Sequence, residues 1–206
     1  MIEHDNPQPI EGEIVKDEGE QQLLPAESRP AELYLLPLNE KPFFPAQTLP
    51  LVMKEAAWLE TVEAIGETPH HMVGLVLIKP EDADNATRED FYAIGTMVRM
   101  HQPAKSEGKI QFIAEGLRRF RIVKWISDKP PYKAQVEYPN EPGKPESEEI
   151  KAYAMAIINT IKDLVPLNPL YSEELKFFLN RFSPNEPSYL ADFAASLTTA
   201  SKQELQ

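Results

Sequence analysis

The spacing of apolar residues changes once along the chain, and that change constrains the fold more than any other feature. Before the proline-rich, charged segment "NEPGKPESEE" (Asn140 to Glu149), apolar and polar residues alternate in short runs; after it, apolar residues recur at three- to four-residue intervals. Alternation buries one face of a strand, whereas a 3.6-residue period buries one face of a helix. The expectation is an α+β chain with a β-rich part over residues 31–145 and a helical part over residues 146–206.

Within the first part, "AELYLLPLNEKPFFPAQTLPLVM" mixes apolar residues with Pro37, Pro42, Pro45 and Pro50. Proline has no amide donor, so these positions belong to edge strands, bulges or turns. "EAAWLETVEAIGE" spaces Trp58, Leu59, Val62 and Ile65 as a short amphipathic helix, with Gly66 as its C-cap. "HMVGLVLIKP" is almost wholly apolar, as a strand buried on both faces would be. "FYAIGTMVRMHQ" and "KIQFIA" form a hairpin about Gly108, and Gly95 marks a bulge or a close backbone approach. In "KIQFIA", Ile110, Phe112 and Ala114 share one face, which leaves Ile113 beside Gln111 on the polar one. "YKAQVEYP" supplies a further alternating strand.

Beyond the linker, Ile150, Tyr153, Ala154, Ile157, Ile158, Ile161, Leu164 and Val165 form a wide apolar stripe, with Ser147 as N-cap and Pro166 as stop. "SEELKFFLNRF" and "EPSYLADFAASL" give two more helices. The final "TTASKQELQ" has the pattern of the first turn of another, which suggests a chain cut from something longer. At the other end, residues 1–30 carry eight acidic and two basic side chains without sustained periodicity, the composition of a disordered tail.

A formal net charge of -12 opposes binding to any polyanion, so the basic stretch "EGLRRFRIVKW" is better explained as the polar face of an amphipathic strand than as a nucleic-acid stripe. Without cysteine there is no disulfide, thiol nucleophile or thiolate metal site, and the cytoplasm is the expected compartment. The strongly apolar run Met72 to Ile78 is far too short to span a bilayer, which needs roughly 20 residues. Neither Gly-Lys pair has the upstream glycine of a phosphate loop; His4, His70, His71 and His101 form no HExxH; and no Gly-x-Ser-x-Gly elbow occurs. The acidic pairs Glu148/Glu149 and Glu173/Glu174 fit first turns of helices. No catalytic residues and no metal ligands are assigned.

Leu36-Pro37-Leu38 followed by Phe44-Pro45 and Pro50, then Glu115-Gly116-Leu117 with Arg119, Arg121 and Ile122, then Leu190-Ala191-Asp192, stand in one order and spacing. From Ala31 to Gln206 this resembles the amino-terminal domain of Lon proteases. Asn39 and Glu40 stand where the family commonly has arginine and aspartate, and Ala46 stands where it has glycine. The resemblance implies a barrel-like, PUA-like β subdomain followed by a helical bundle. It also implies a non-catalytic role: recognition of unfolded or damaged proteins and support of a homo-hexamer. ATP and magnesium would then belong to a separate ATPase module, with no cofactor in this part and no membrane partner. An unfolded chain differs from a native one by its accessible apolar side chains, so a binding surface must itself be apolar and exposed. Phe43, Phe44, Pro50 and Ile113 are the substrate-binding candidates, with a plain core role competing for Phe43 and Phe44. A free-standing adaptor and a PUA-like RNA binder are the alternative functions.

Overall fold

In the computed structural model, which describes residues 8–9, 29–45, 47–139, 148–164 and 187–206, the alternating stretches do form strands. They are β1 (Gln8–Pro9), β2 (Glu32–Leu38), β3 (Thr48–Lys54), β4 (Met72–Leu77), β5 (Ile94–Ser106), β6 (Lys109–Trp125) and β7 (Lys133–Glu137). Helix α1 (Glu55–Gly66) joins β3 to β4; α2 (Glu148–Leu164), α3 (Pro187–Ser196) and α4 (Lys202–Leu205) follow. The chain divides into two compact units, Met1–Pro139 with Ala200–Gln206, and Asn140–Thr199. The division falls close to the linker anticipated from composition, but the last residues return to the β-rich unit rather than staying with the helices.

The strands run in the order β1-β5-β4-β2-β7-β6-β3, and an additional β5–β6 pairing closes β5, β4, β2, β7 and β6 into a ring. The long strand β6 makes this possible: β5 takes one edge, while β3 (Lys109 to Glu115) and β7 (Arg121 to Trp125) share the other. Strands β2 and β4 are parallel. A parallel pair needs a crossover, and β3 with α1 provides it. The sharp β5–β6 turn places Glu107 and Gly108 at φ 51° and 72°, the left-handed region favoured in two-residue hairpins.

Side chains that alternate inward fill the ring. Ile110, Phe112, Ala114 and Phe120 of β6 are buried, as is all of β4. The Phe120 ring is accommodated by two missing side chains: a Cβ at Gly74 would lie 2.5 Å, and one at Gly95 2.8 Å, from its Cζ. The close approach anticipated at Gly95 is therefore to Phe120 and to the Leu75 carbonyl. Trp58, Val62 and Ile65 of α1 bury their stripe on this core. Gly66 is the last helical residue, and the cap falls on Glu67 in right-handed geometry, so the turn does not use glycine's freedom there. Pro50 lies on β3, which among the described residues pairs only with β6; Pro37 lies beyond the part of β2 paired with β7. Both thus avoid a strand flanked on two sides.

One correction concerns the tail. Gln8 and Pro9 pair with Lys105 and Ala104 on the edge of β5, so this short piece of residues 1–30 is ordered against a strand whose outer backbone groups need partners. The remainder of that tail, apart from Arg29 and Pro30, lies outside the described residues. In the second unit, Ala154, Ile158 and Leu190 form a small core joining α2 and α3. The expected helix over 172–182, and with it a complete bundle, lies outside the described residues. No described helix is long and apolar enough to cross a membrane.

Candidate functional site

The register of β3 against β6 brings two of the four candidates together. Pro50 is directly opposite Ile113, between the pairs Thr48–Glu115 and Val52–Gln111. Opposed residues of an antiparallel pair project to the same face, so Pro50, Val52 and Ile113 form one apolar cluster. It is open: Ile113 is 39% and Val52 60% exposed, and Pro50 is exposed as well. On the other side of Ile113 stands His101 of β5. His101 Nε2 is 2.9 Å from Glu115 Oε2, and Arg99 Nη1 is 3.8 Å from the same oxygen. A polar rim thus borders an apolar centre.

Val52 was not among the residues singled out from the sequence, although the signal was present. In "TLPLVMK" it is two residues from Pro50 and therefore on the same face. The opposite face of β3 carries Leu51 and Met53, both half-buried, and Leu49, which is 44% exposed.

Phe43 and Phe44 are not part of this surface. They are 7% and 6% exposed, and they belong to the interior. The loop containing them is drawn down by hydrogen bonds to its main chain and to the Gln47 side chain: Gly116 N donates to the Gln47 carbonyl at 2.8 Å, Phe44 N donates to Gln47 Oε1 at 2.8 Å, and Thr96 Oγ1 donates to the Phe43 carbonyl. A Cβ at Gly116 would lie 2.4 Å from the Phe44 carbonyl oxygen, so the absence of a side chain there permits this closure.

The basic stretch divides in two. Arg118 Nη2 donates to the Pro139 carbonyl at 3.2 Å, and the Arg119 guanidinium lies 5.8 Å from the centre of the Phe44 ring. Arg121 and Lys124 are exposed. Two of the four charges are thus engaged by the protein itself.

The ring of strands with α1 packed on its core defines a β-rich domain. The family model described as the ATP-dependent protease La (LON) substrate-binding domain matches residues 32–206, and the chain belongs to that family. Lon protease 2 of Hydrogenovibrio crunogenus is 48% identical over 179 residues, which are 87% of this chain and 20% of that protein. The Lon protease of Chlamydia pneumoniae is 36% identical over 207 residues, 98% of this chain and 25% of that one. The chain therefore spans a fifth to a quarter of the length of these relatives. Among solved structures, the N-terminal domain of Mycobacterium avium complex Lon protease matches with a TM-score of 0.64 at 16% identity, covering 85% of this chain and 88% of that one. At that identity the likeness is one of fold.

Proposed function

We propose that this domain recognises unfolded or damaged polypeptides for an ATP-dependent Lon-type protease, and that it makes first contact through Pro50, Val52 and Ile113. The observation that carries the reading is the pairing of Pro50 with Ile113 on an open strand face. A folded protein hides its apolar side chains and an unfolded one offers them, so an exposed apolar cluster discriminates between the two without reading sequence. The polar rim of Arg99, His101 and Glu115 limits the area of the cluster and keeps native surfaces from adhering. Each contact is individually weak. Several copies in a homo-hexamer would convert weak contacts into useful avidity, and support of that assembly is the second part of the proposed role. No cofactor is needed for either part; ATP and magnesium belong to the ATPase portion of such a protease. The cytoplasm is the proposed compartment.

The test is binding of a fluorescent, permanently unfolded model protein to the wild type and to a Pro50→Asp/Ile113→Asp variant, with folding of both checked by circular dichroism. Burying an aliphatic side chain is worth about 1.5–3 kcal/mol, so placing carboxylates at both positions should weaken binding by about tenfold or more. Undiminished binding by the folded double variant would refute this assignment of the surface.

A further inference from the structure

We propose that the short helix α4 is a removable cover over Phe44, and that an apolar side chain of an unfolded polypeptide takes the place of Leu205 there. This rests on the function proposed above and adds a second contact point to it. Phe43 and Phe44 are neighbours in sequence and equally buried, but different groups bury them. Phe43 packs into the apolar core of the ring of strands, whereas Phe44 is not among the side chains of that core. The Arg119 guanidinium lies over the Phe44 ring, and a cleft of about 30 Å³ beside it is walled by Leu205 and Gln206 together with Ile94 and Thr96. So small a space has room for water but not for another side chain. While α4 is docked, Leu205 holds the place beside Phe44.

The attachment of α4 is mainly polar. Lys202 Nζ donates to the Asn39 carbonyl at 3.1 Å and to Glu81 Oε1 at 2.7 Å, and Gln206 Nε2 donates to the Ile94 carbonyl at 3.0 Å. Asn39 follows β2, Glu81 follows β4 and Ile94 opens β5, so the bonds reach three separate elements. No residue of α4 is buried, and Leu205 is only half-buried. Residues 140–199 separate α4 from the rest of its unit, so its place on the ring depends on contacts of this kind. Its own capping box, Ser201 with Glu204, holds the turn together without tying it to the ring. A segment with few buried apolar contacts is among the first parts of a structure to open, and α4 is built to leave as a unit.

The resident segment specifies what replaces it. It offers a leucine with polar neighbours and one N–H donor to a main-chain carbonyl, so the ligand is an aliphatic or aromatic side chain in a polypeptide whose own N–H groups are unpaired. Departure of α4 uncovers the Phe44 ring on the Leu205 side and frees the Ile94 carbonyl. The loop beneath stays where it is, because Phe44 N still donates to Gln47 Oε1 and Thr96 Oγ1 to the Phe43 carbonyl. An aromatic ring on a fixed backbone is a preorganised anchor. Because Leu205 is tethered to the same chain, it competes at high effective concentration. A polypeptide already held at Pro50, Val52 and Ile113 gains the same advantage, so the covered site acts after the open one.

The test compares the whole chain with its Lys202→Met/Gln206→Ala variant, which lacks the donors to Asn39, Glu81 and Ile94. Circular dichroism checks folding, and amide exchange over residues 201–206 reports release of α4. The probe is the fluorescent, permanently unfolded model protein, carrying photo-leucine for crosslinking. Apparent affinity is lowered by the fraction of molecules in which a site is covered, so the variant should bind about threefold or more tightly than the wild type, with new crosslinks to residues 42–47. Gln206→Ala alone, which leaves Lys202 in place, should shift binding less and in the same direction. Released α4 without tighter binding, or tighter binding without crosslinks to residues 42–47, overturns the covered site and leaves the proposed function standing. Unchanged exchange over residues 201–206 in the folded double variant also overturns it, because the polar contacts would then not be what holds α4. If neither protein binds the probe, both readings fall.

Discussion

The Phe120 ring provides a quantitative check on the core. Gly74→Ala would place a methyl carbon 2.5 Å from Phe120 Cζ and 2.6 Å from Leu35 Cδ2, about 1 Å inside the usual carbon–carbon separation of roughly 3.5–4.0 Å. Overpacking of this kind typically costs about 1–3 kcal/mol, and with two clashes in a closed ring the upper part of that range is expected. Phe120→Ala removes a fully buried ring, at a cost of about 3–5 kcal/mol. The double variant is the informative one. With the ring gone, the alanine methyl at residue 74 enters vacated space, and Leu35 can shift into it. Gly74→Ala/Phe120→Ala should therefore cost no more than Phe120→Ala alone, a coupling of about 1–3 kcal/mol. Urea unfolding followed by tryptophan fluorescence measures this selectively, because both tryptophans, Trp58 and Trp125, belong to the β-rich unit. Additive costs in the double variant would refute the packing of Phe120 against Gly74.

Other consequences are open to direct measurement. The Tyr138 hydroxyl donates to the Pro30 carbonyl at 2.8 Å, and burial pushes its phenol up to about 12, against smaller opposing effects of Arg29 and Arg118. Unfolded tyrosine titrates near pH 10, so the stability held by the neutral folded phenol is complete below pH 10 and is lost as pH rises towards 12. Thermal unfolding should show this decline, and Tyr138→Phe should flatten it, leaving the part due to Tyr132, whose phenol is also raised by burial. Lys202 Nζ reaches the Asn39 carbonyl at 3.1 Å and Glu81 Oε1 at 2.7 Å. Lys202→Met should cost about 1–2 kcal/mol, less than a buried ion pair because Glu81 is largely exposed; amide exchange over residues 201–206 should quicken. Ser201 accepts from Glu204 N, and Glu204 Oε2 accepts in return from Ser201 N. Ser201→Ala should remove about 1 kcal/mol of local helix stability, read by the same exchange experiment.

What was legible in the sequence and what was not follow from the range of the interactions involved. The alternation of "KIQFIA" was sufficient to place Ile113 outside and Phe112 inside, because strand side chains have a strict period and one face had to be buried. The prolines correctly marked places without two strand neighbours. Phe43 and Phe44 could not be assigned locally. Their burial depends on Gly116 and Thr96, more than fifty residues away, and a proline-rich loop has no period that would reveal which side faces the core. The return of α4 to the β-rich unit was equally hidden, since it rests on Lys202 meeting carbonyls at Asn39 and Pro80.

The most direct test of the binding surface is to place a photo-crosslinking side chain at Ile113 and, as a control, at Glu63, an exposed position on α1. Each protein is then illuminated with a single model protein in its native and its unfolded form. The account predicts strong crosslinking from residue 113 to the unfolded form, little to the native form, and little to either from residue 63. Equal crosslinking from the two positions, or none from residue 113 while the unfolded protein is demonstrably bound, would contradict it.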